Sequence, residues 1–166
     1  MSTKISRSQW EAHAKSLTIR SQAFINGKYV DAASGKTFSC ISPIDGACIA
    51  QVAECAEEDV NRAVSAARHA FEAGYWSTSS PVHRKKVLQK FALLIEQHAE
   101  ELALLESIDM GKPVADALSI DVSASVRCLT WTAEAVDKVY GEIAPTPNHE
   151  LGLITREPLG VIGAIV

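Results

Sequence analysis

The last eleven residues, Arg156 to Val166, read REPLGVIGAIV, and this run constrains the chain more than any other. Five large apolar residues (Leu159, Val161, Ile162, Ile165 and Val166) fall within its last eight positions. Such a run is the pattern of a strand buried on both faces, as in the middle of a parallel sheet. A central strand needs a neighbour on each side, so the expectation is that further chain or a partner covers it. Burying five such side chains at roughly 1.5–3 kcal/mol each contributes on the order of 10 kcal/mol. That rivals the whole ~5–15 kcal/mol stability of a typical domain. A chain that leaves this strand bare is expected to aggregate, swap or fail to fold.

At 166 residues the chain is long enough for one domain with a real core. A net charge of −4 argues against nucleic-acid and anionic-membrane partners, which are held by clustered Lys and Arg. The densest basic run, Arg84-Lys85-Lys86, lies inside a helical pattern and reads as a solvated face. The N-terminus MSTKISRSQW is polar and lacks the apolar region of a secretory signal. No apolar run approaches the ~18 residues of a membrane span. The four cysteines (Cys40, Cys48, Cys55, Cys128) show no CxxC spacing and read as reduced thiols, so the expected compartment is the cytoplasm.

Residues Ser8 to Leu17 form a short amphipathic pattern with Trp10, Ala14 and Leu17 on one face. In AFINGKYVDA, Asn26-Gly27 between Phe24-Ile25 and Tyr29-Val30 predicts a hairpin, because both turn residues tolerate positive φ. TFSCISPIDGACIAQVA predicts a second hairpin around Pro43 and Asp45-Gly46. From Glu57 the period becomes helical, with Val60, Ala63, Val64, Ala67 and Phe71 as the apolar stripe. Glu57, Glu58 and Asp59 there favour the positive end of the dipole, and Gly74 ends that helix. The next begins with Ser80 as N-cap and Pro81 at its first position, breaks near His98 and stops at Gly111 and Pro113. A third long helix is predicted from Val114 to Tyr140, on a stripe of Leu118, Val122, Leu129, Ala133 and Val136. Two more strands around a Pro- and Asn-rich turn follow, and then the terminal strand.

Groups able to do chemistry are few. The five histidines never fall at HxH or HxxxH spacing, and neither GxSxG nor GxxxxGK[ST] occurs. Gly160 and Gly163 lack the leading G-x-G of a dinucleotide fingerprint and read as close backbone packing within a sheet. Cys128, inside the third helix, reads as a small buried thiol. Arg156-Glu157 reads as a solvated or interface pair. Asp109, before Met110-Gly111-Lys112-Pro113 at a helix end, either caps locally or offers oxygens to a cation.

Several stretches together resemble one family. FINGKYVDAASGKTFSCISPIDGACIAQVA, EEDVNRAVSAARHAFEAGYWS, RKKVLQKFALLIEQHAEELALLESIDMGKP and REPLGVIGAIV are similar, in order and spacing, to the N-terminal part of NAD(P)-dependent aldehyde dehydrogenases. DKVYGEIAPT and HAEELALLESIDMGKP look most like bacterial γ-glutamyl-γ-aminobutyraldehyde and 4-guanidinobutyraldehyde dehydrogenases.

The resemblance implies an α/β fold of short β-hairpins, three long helices, an oligomerisation hairpin and the first core strand of a Rossmann-like cofactor domain. On that plan 1–20 is a helical extension, 21–140 the N-terminal part of the cofactor-binding domain, 141–156 the oligomerisation hairpin and 157–166 the start of a truncated core. It also implies oxidation of an aldehyde, here an amino-aldehyde, to a carboxylate with NAD or NADP through a Cys thioester. The homo-oligomer would be a dimer or tetramer.

Carried over residue by residue, Ile165 and Val166 match the strand end whose backbone lines the NAD pocket. Ile41 and Asp109 match positions of a monovalent-cation site, for K+ or Na+, in some members. Cys40 stands where many relatives have Thr. The family's nucleophilic Cys, general-base Glu and oxyanion-holding Asn have no counterparts in these 166 residues, so the chain is expected to be inactive alone. The alternative is a non-catalytic oligomerisation or interaction module.

Overall fold

The computed structural model describes residues 5–165. Helix α1 (Arg7–Ser16) leads into the hairpin β1 (Ala23–Ile25) and β2 (Lys28–Val30), then the hairpin β3 (Thr37–Ile41) and β4 (Cys48–Ala53). Helices α2 (Glu57–Glu72), α3 (Pro81–Gln97) and α4 (Ala99–Met110) follow. The next helical stretch comprises α5 (Val114–Asp116), a π-helical segment (Ala117–Val122), α6 (Ser123–Ala135) and a 3-10 turn (Val136–Lys138). A last hairpin pairs β5 (Glu142–Ala144) with β6 (Gly152–Ile154). Among the described residues each sheet is a two-stranded antiparallel pair.

The local punctuation acts as its chemistry requires. Asn26 and Gly27 both take positive φ, 51° and 76°, and close β1 onto β2 with Phe24 opposite Tyr29. Ser6 caps α1 through a reciprocal bond with Gln9. The Ser80 hydroxyl accepts from the His83 amide at the start of α3, with Pro81 inside the first turn. Gly111, at φ 78°, ends α4 in the left-handed conformation.

Helix packing rests on small residues. Ala103 of α4, with Ala117 and Val122 of the π segment, forms the buried centre, and Ile95, Ala99, Val114 and Leu118 pack around it. Ala92 on α3 and Ala133 on α6 are buried as well. The third helix is interrupted where a regular one was expected. The Ser123 hydroxyl donates to the Leu118 carbonyl five residues back, at 3.2 Å, and the wider turn lies over that residue pair. The turn keeps Ala117 and Val122 facing α4.

The apolar stripe of α2 is a second departure. Val60, Ala63, Val64 and Ala67 are exposed, and the buried residue of this helix is Asp59, 2 % exposed. The β1–β2 hairpin meets α2 on its polar side, in a cleft lined by Glu57, Asn61, Arg62, Ser65 and His69. Ala56 has no side-chain oxygen to cap the helix, so Asp59 reaches back. One carboxylate oxygen accepts from the Ala56 amide at 3.2 Å and the other from the Ala33 amide at 2.9 Å. Asp59 was expected to serve the dipole. It also joins the helix start to the loop after β2.

The terminal run differs as well. Residues 155–165 form no strand. Leu159 is 91 % and Ile165 102 % exposed, and Ile162 is exposed too. A ladder needs a strand about 4.8 Å away, and none of the three hairpins pairs with this segment. Gly160 and Gly163 therefore do not pack within a sheet. Gly160 sits at φ 117° beside the Arg68 guanidinium, and a Cβ on Gly163 would meet nothing within 4 Å.

The backbone amides on Asp59 hold its carboxyl below the usual range. Its contribution is complete above the unfolded value of about 4 and is lost as pH falls through the lower folded value. Thermal melts followed by circular dichroism between about pH 3 and 7 should show this loss on the acid side. Asp59→Asn should melt lower at neutral pH and lack that part of the acid dependence.

Candidate functional site

Four regions bear on the expected chemistry: the joint of β3 with the end of α4, the turn after α4, the last hairpin and the terminal segment. The β3–β4 pair carries a bulge, since Cys40 faces Ala50 while Ile41 faces Cys48. Gln51 Nε2 donates to Ser39 Oγ at 2.8 Å and to Cys48 Sγ at 3.4 Å, which puts Ser39 and Cys48 on one face. Strand alternation sends Ile41 to that face as well and Cys40 to the other.

On that other face Cys40 meets α4. Its thiol donates to Asp109 Oδ1 at 3.3 Å, and this bond with the neighbouring carboxylate charge raises the thiol pKa. Arg20, Ile49, Leu102, Leu105, Glu106 and Asp109 line a cleft of about 360 Å³ beside it. The loop after β3 packs on the end of α4, where a Cβ on Gly111 would lie 3.2 Å from Pro43 Cγ. Asp109 therefore ties its helix to β3. Among the described residues no three His, Cys, Asp or Glu side chains converge to hold a metal ion.

One turn further on, Lys112 Nζ pairs with Asp121 Oδ2 of the π segment at 2.5 Å, which raises the Lys112 pKa. Lys85 of the basic run is half-buried rather than fully solvated. It reaches Glu134 of α6 at 2.6 Å, with Gln89 adding a bond to the same carboxylate at 3.1 Å. Solvent screens pairs at such partly exposed positions, so their role is positional.

Arg156 does not pair with Glu157. Its Nε donates to the Tyr140 carbonyl at 2.9 Å and a terminal nitrogen donates to Glu142 at 3.3 Å, tying the base of the β5–β6 hairpin. That base is close-packed, since a Cβ on Gly141 would fall 2.6 Å from the Ile154 carbonyl oxygen. Ile143, Leu151, Leu153 and Ile154 leave the hairpin with an apolar exposed surface. Of the two residues expected to line a cofactor pocket, Ile165 lies in the exposed terminal segment and Val166 lies outside the described residues. Cys128 is exposed on α6, not buried, because the helix turns Val122 and Ala133 toward the core instead.

The aldehyde dehydrogenase family profile matches residues 29–166, and the chain belongs to that family. It is 52 % identical to the NADP/NAD-dependent aldehyde dehydrogenase PuuC of Escherichia coli, over 95 % of this chain and 32 % of that protein. The solved structure of P. syringae AldA, an indole-3-acetaldehyde dehydrogenase, in complex with NAD+ and IAA superposes with a TM-score of 0.92. It is 52 % identical, covering 95 % of this chain and 32 % of AldA. The aldehyde dehydrogenase KauB of Pseudomonas aeruginosa superposes equally well at 53 % identity, over 95 % of this chain and 32 % of its own. The chain thus spans about a third of the length of the relatives it matches. No helix among the described residues is long and apolar enough to cross a membrane.

The four thiols should react unequally. Alkylation of the folded chain with mass-spectrometric readout should modify the exposed Cys48, Cys55 and Cys128 first and the half-buried Cys40 last. Asp109→Asn removes the carboxylate that disfavours the thiolate, and each unit of fall in pKa speeds Cys40 alkylation about tenfold. Equal rates at all four sites would contradict the Cys40–Asp109 contact.

Proposed function

We propose that this chain forms the N-terminal part of a cytoplasmic, NAD(P)-dependent dehydrogenase that oxidises an amino-aldehyde to a carboxylate. The observation that supports this most is the superposition of 95 % of the chain, at 52 % identity, on an aldehyde dehydrogenase solved with NAD+. Likeness to an aminoacetaldehyde dehydrogenase of Pseudomonas aeruginosa, at 41 % identity, and to a gamma-glutamyl-gamma-aminobutyraldehyde dehydrogenase of Burkholderia cenocepacia, at 51 %, favours the amino-aldehyde class.

In this reading 1–20 is a helical extension, 21–140 belongs to the cofactor-binding domain and 157–166 opens the core of that domain. The dinucleotide, when bound, accepts the hydride released as the aldehyde is oxidised. The contribution of this chain is to shape the site. In this reading the main chain at Ile165 and Val166 would form one wall of the dinucleotide pocket. The carbonyl is attacked by a Cys thiolate and the thioester opened by water activated by a Glu, and neither group is among these 166 residues.

The purified chain, supplied with NAD+ or NADP+ and amino-aldehydes, should therefore show no reduced nicotinamide above background. Turnover, with a longer contaminant excluded by mass spectrometry, would overturn the assignment of catalysis to residues outside this chain.

The β5–β6 hairpin serves assembly in this reading, as the contact through which subunits join into a dimer or tetramer. Its exposed Ile143, Leu151, Leu153 and Ile154 support that role, because contiguous apolar surface on a projecting element marks an interface. Replacing Ile143 and Leu153 by Asp should shift sedimentation toward the monomer while leaving the helical circular dichroism unchanged. Unchanged assembly would remove the hairpin from the interface.

A further inference from the structure

We infer that the Cys40 thiol, donating to Asp109, closes the joint between β3 and the end of α4 without a bound cation, where the family resemblance led to the expectation of K+ or Na+. This inference does not depend on the aldehyde reading, since it concerns only how two elements of this chain are held together.

The donor set argues against the cation. A hard alkali ion calls for several oxygen ligands, whereas sulfur suits softer metals. Here the side chain beside Asp109 is a thiol, and its hydrogen bond is directed at Oδ1, one of the oxygens a cation would use. The Ile41 side chain is a hydrocarbon with no ligand atom, so only its main-chain carbonyl could contribute. The surrounding cleft is largely apolar, with Ile49, Leu102, Leu105 and Ile108 on its walls, and stripping water from an ion there is costly. Its charged groups are Glu106 and Asp109 against Arg20, so a fixed positive charge is already present. The joint also has a second, ion-free contact in the seat of Pro43 and Ile44 against Gly111.

The test is thermal unfolding of the full chain in KCl, NaCl and choline chloride at matched ionic strength, followed by circular dichroism. The expected result is the same melting temperature in all three salts. Cys40→Ala should lower it by a few degrees, equally in each salt. A cation held at about 100-fold excess over its Kd would instead raise the wild-type melting temperature by roughly 5–10 °C. A saturable rise of that kind in K+ or Na+ but not choline would overturn the inference. The infrared S–H stretching band provides an independent readout. A Cys40 component, identified by its loss in Cys40→Ser, should be shifted by hydrogen bonding in wild type and should revert in Asp109→Ala. Absence of the shifted component would overturn the inference even if Cys40→Ala failed to fold.

Discussion

Where α4 meets the π segment, Ala103, Ala117 and Val122 are in contact, and the rest of the helical body depends on that meeting. Two helices can approach this closely only when the facing side chains are small. Alanine makes the approach without freezing any rotamers. The contact fixes the angle at which the chain leaves α4, and so where Gly111 and Pro113 stand and where Lys112 can find Asp121. From the same contact α6 is set against α3, with Ala92 and Ala133 buried and Lys85 and Gln89 clasping Glu134 at the rim. The large apolar side chains are mostly on the outside. Phe91, Trp131, Val60 and Val64 are exposed, an arrangement suited to a body that other protein surface covers.

Local chemistry made much of this fold legible in advance. Asn26-Gly27, Ser80-Pro81, the break at His98 and Gly111 each specify a backbone conformation through their own sterics and hydrogen bonding, with little help from distant residues. The stripe Leu118, Val122, Leu129, Ala133, Val136 located the third helix for the same reason. The illegible features were those that a neighbour decides. Periodicity predicted a buried face on α2 but could not tell that the hairpin would take the polar side and leave Val60 and Val64 outside. Asp59 looked like an ordinary first-turn acid, because the Ala33 amide it receives lies far away in sequence. The π segment depends on one hydroxyl bond that no spacing rule contains.

For the candidate site the division is sharper. Residue spacing alone did not pair Cys40 with Asp109. The family likeness placed Ile41 and Asp109 in one neighbourhood, and the geometry added the thiol bond. The terminal run is intensely apolar, yet a strand is a property of two segments, and no second segment among the described residues pairs with it. Cys128 was misread because a helix interior was taken for a protein interior. The helix face decides which of these a residue sees.

The bond between Cys40 and Asp109 joins residues 69 positions apart. The hairpins and the packing of α4 on the π segment close shorter loops, and even the bond of Lys85 on α3 to Glu134 on α6 spans only 49 positions. A joint spanning so much chain gains nothing until α2, α3 and α4 are already in place. The second hairpin leaves the ribosome before α4, yet must wait for the end of that helix before it has anything to lean on.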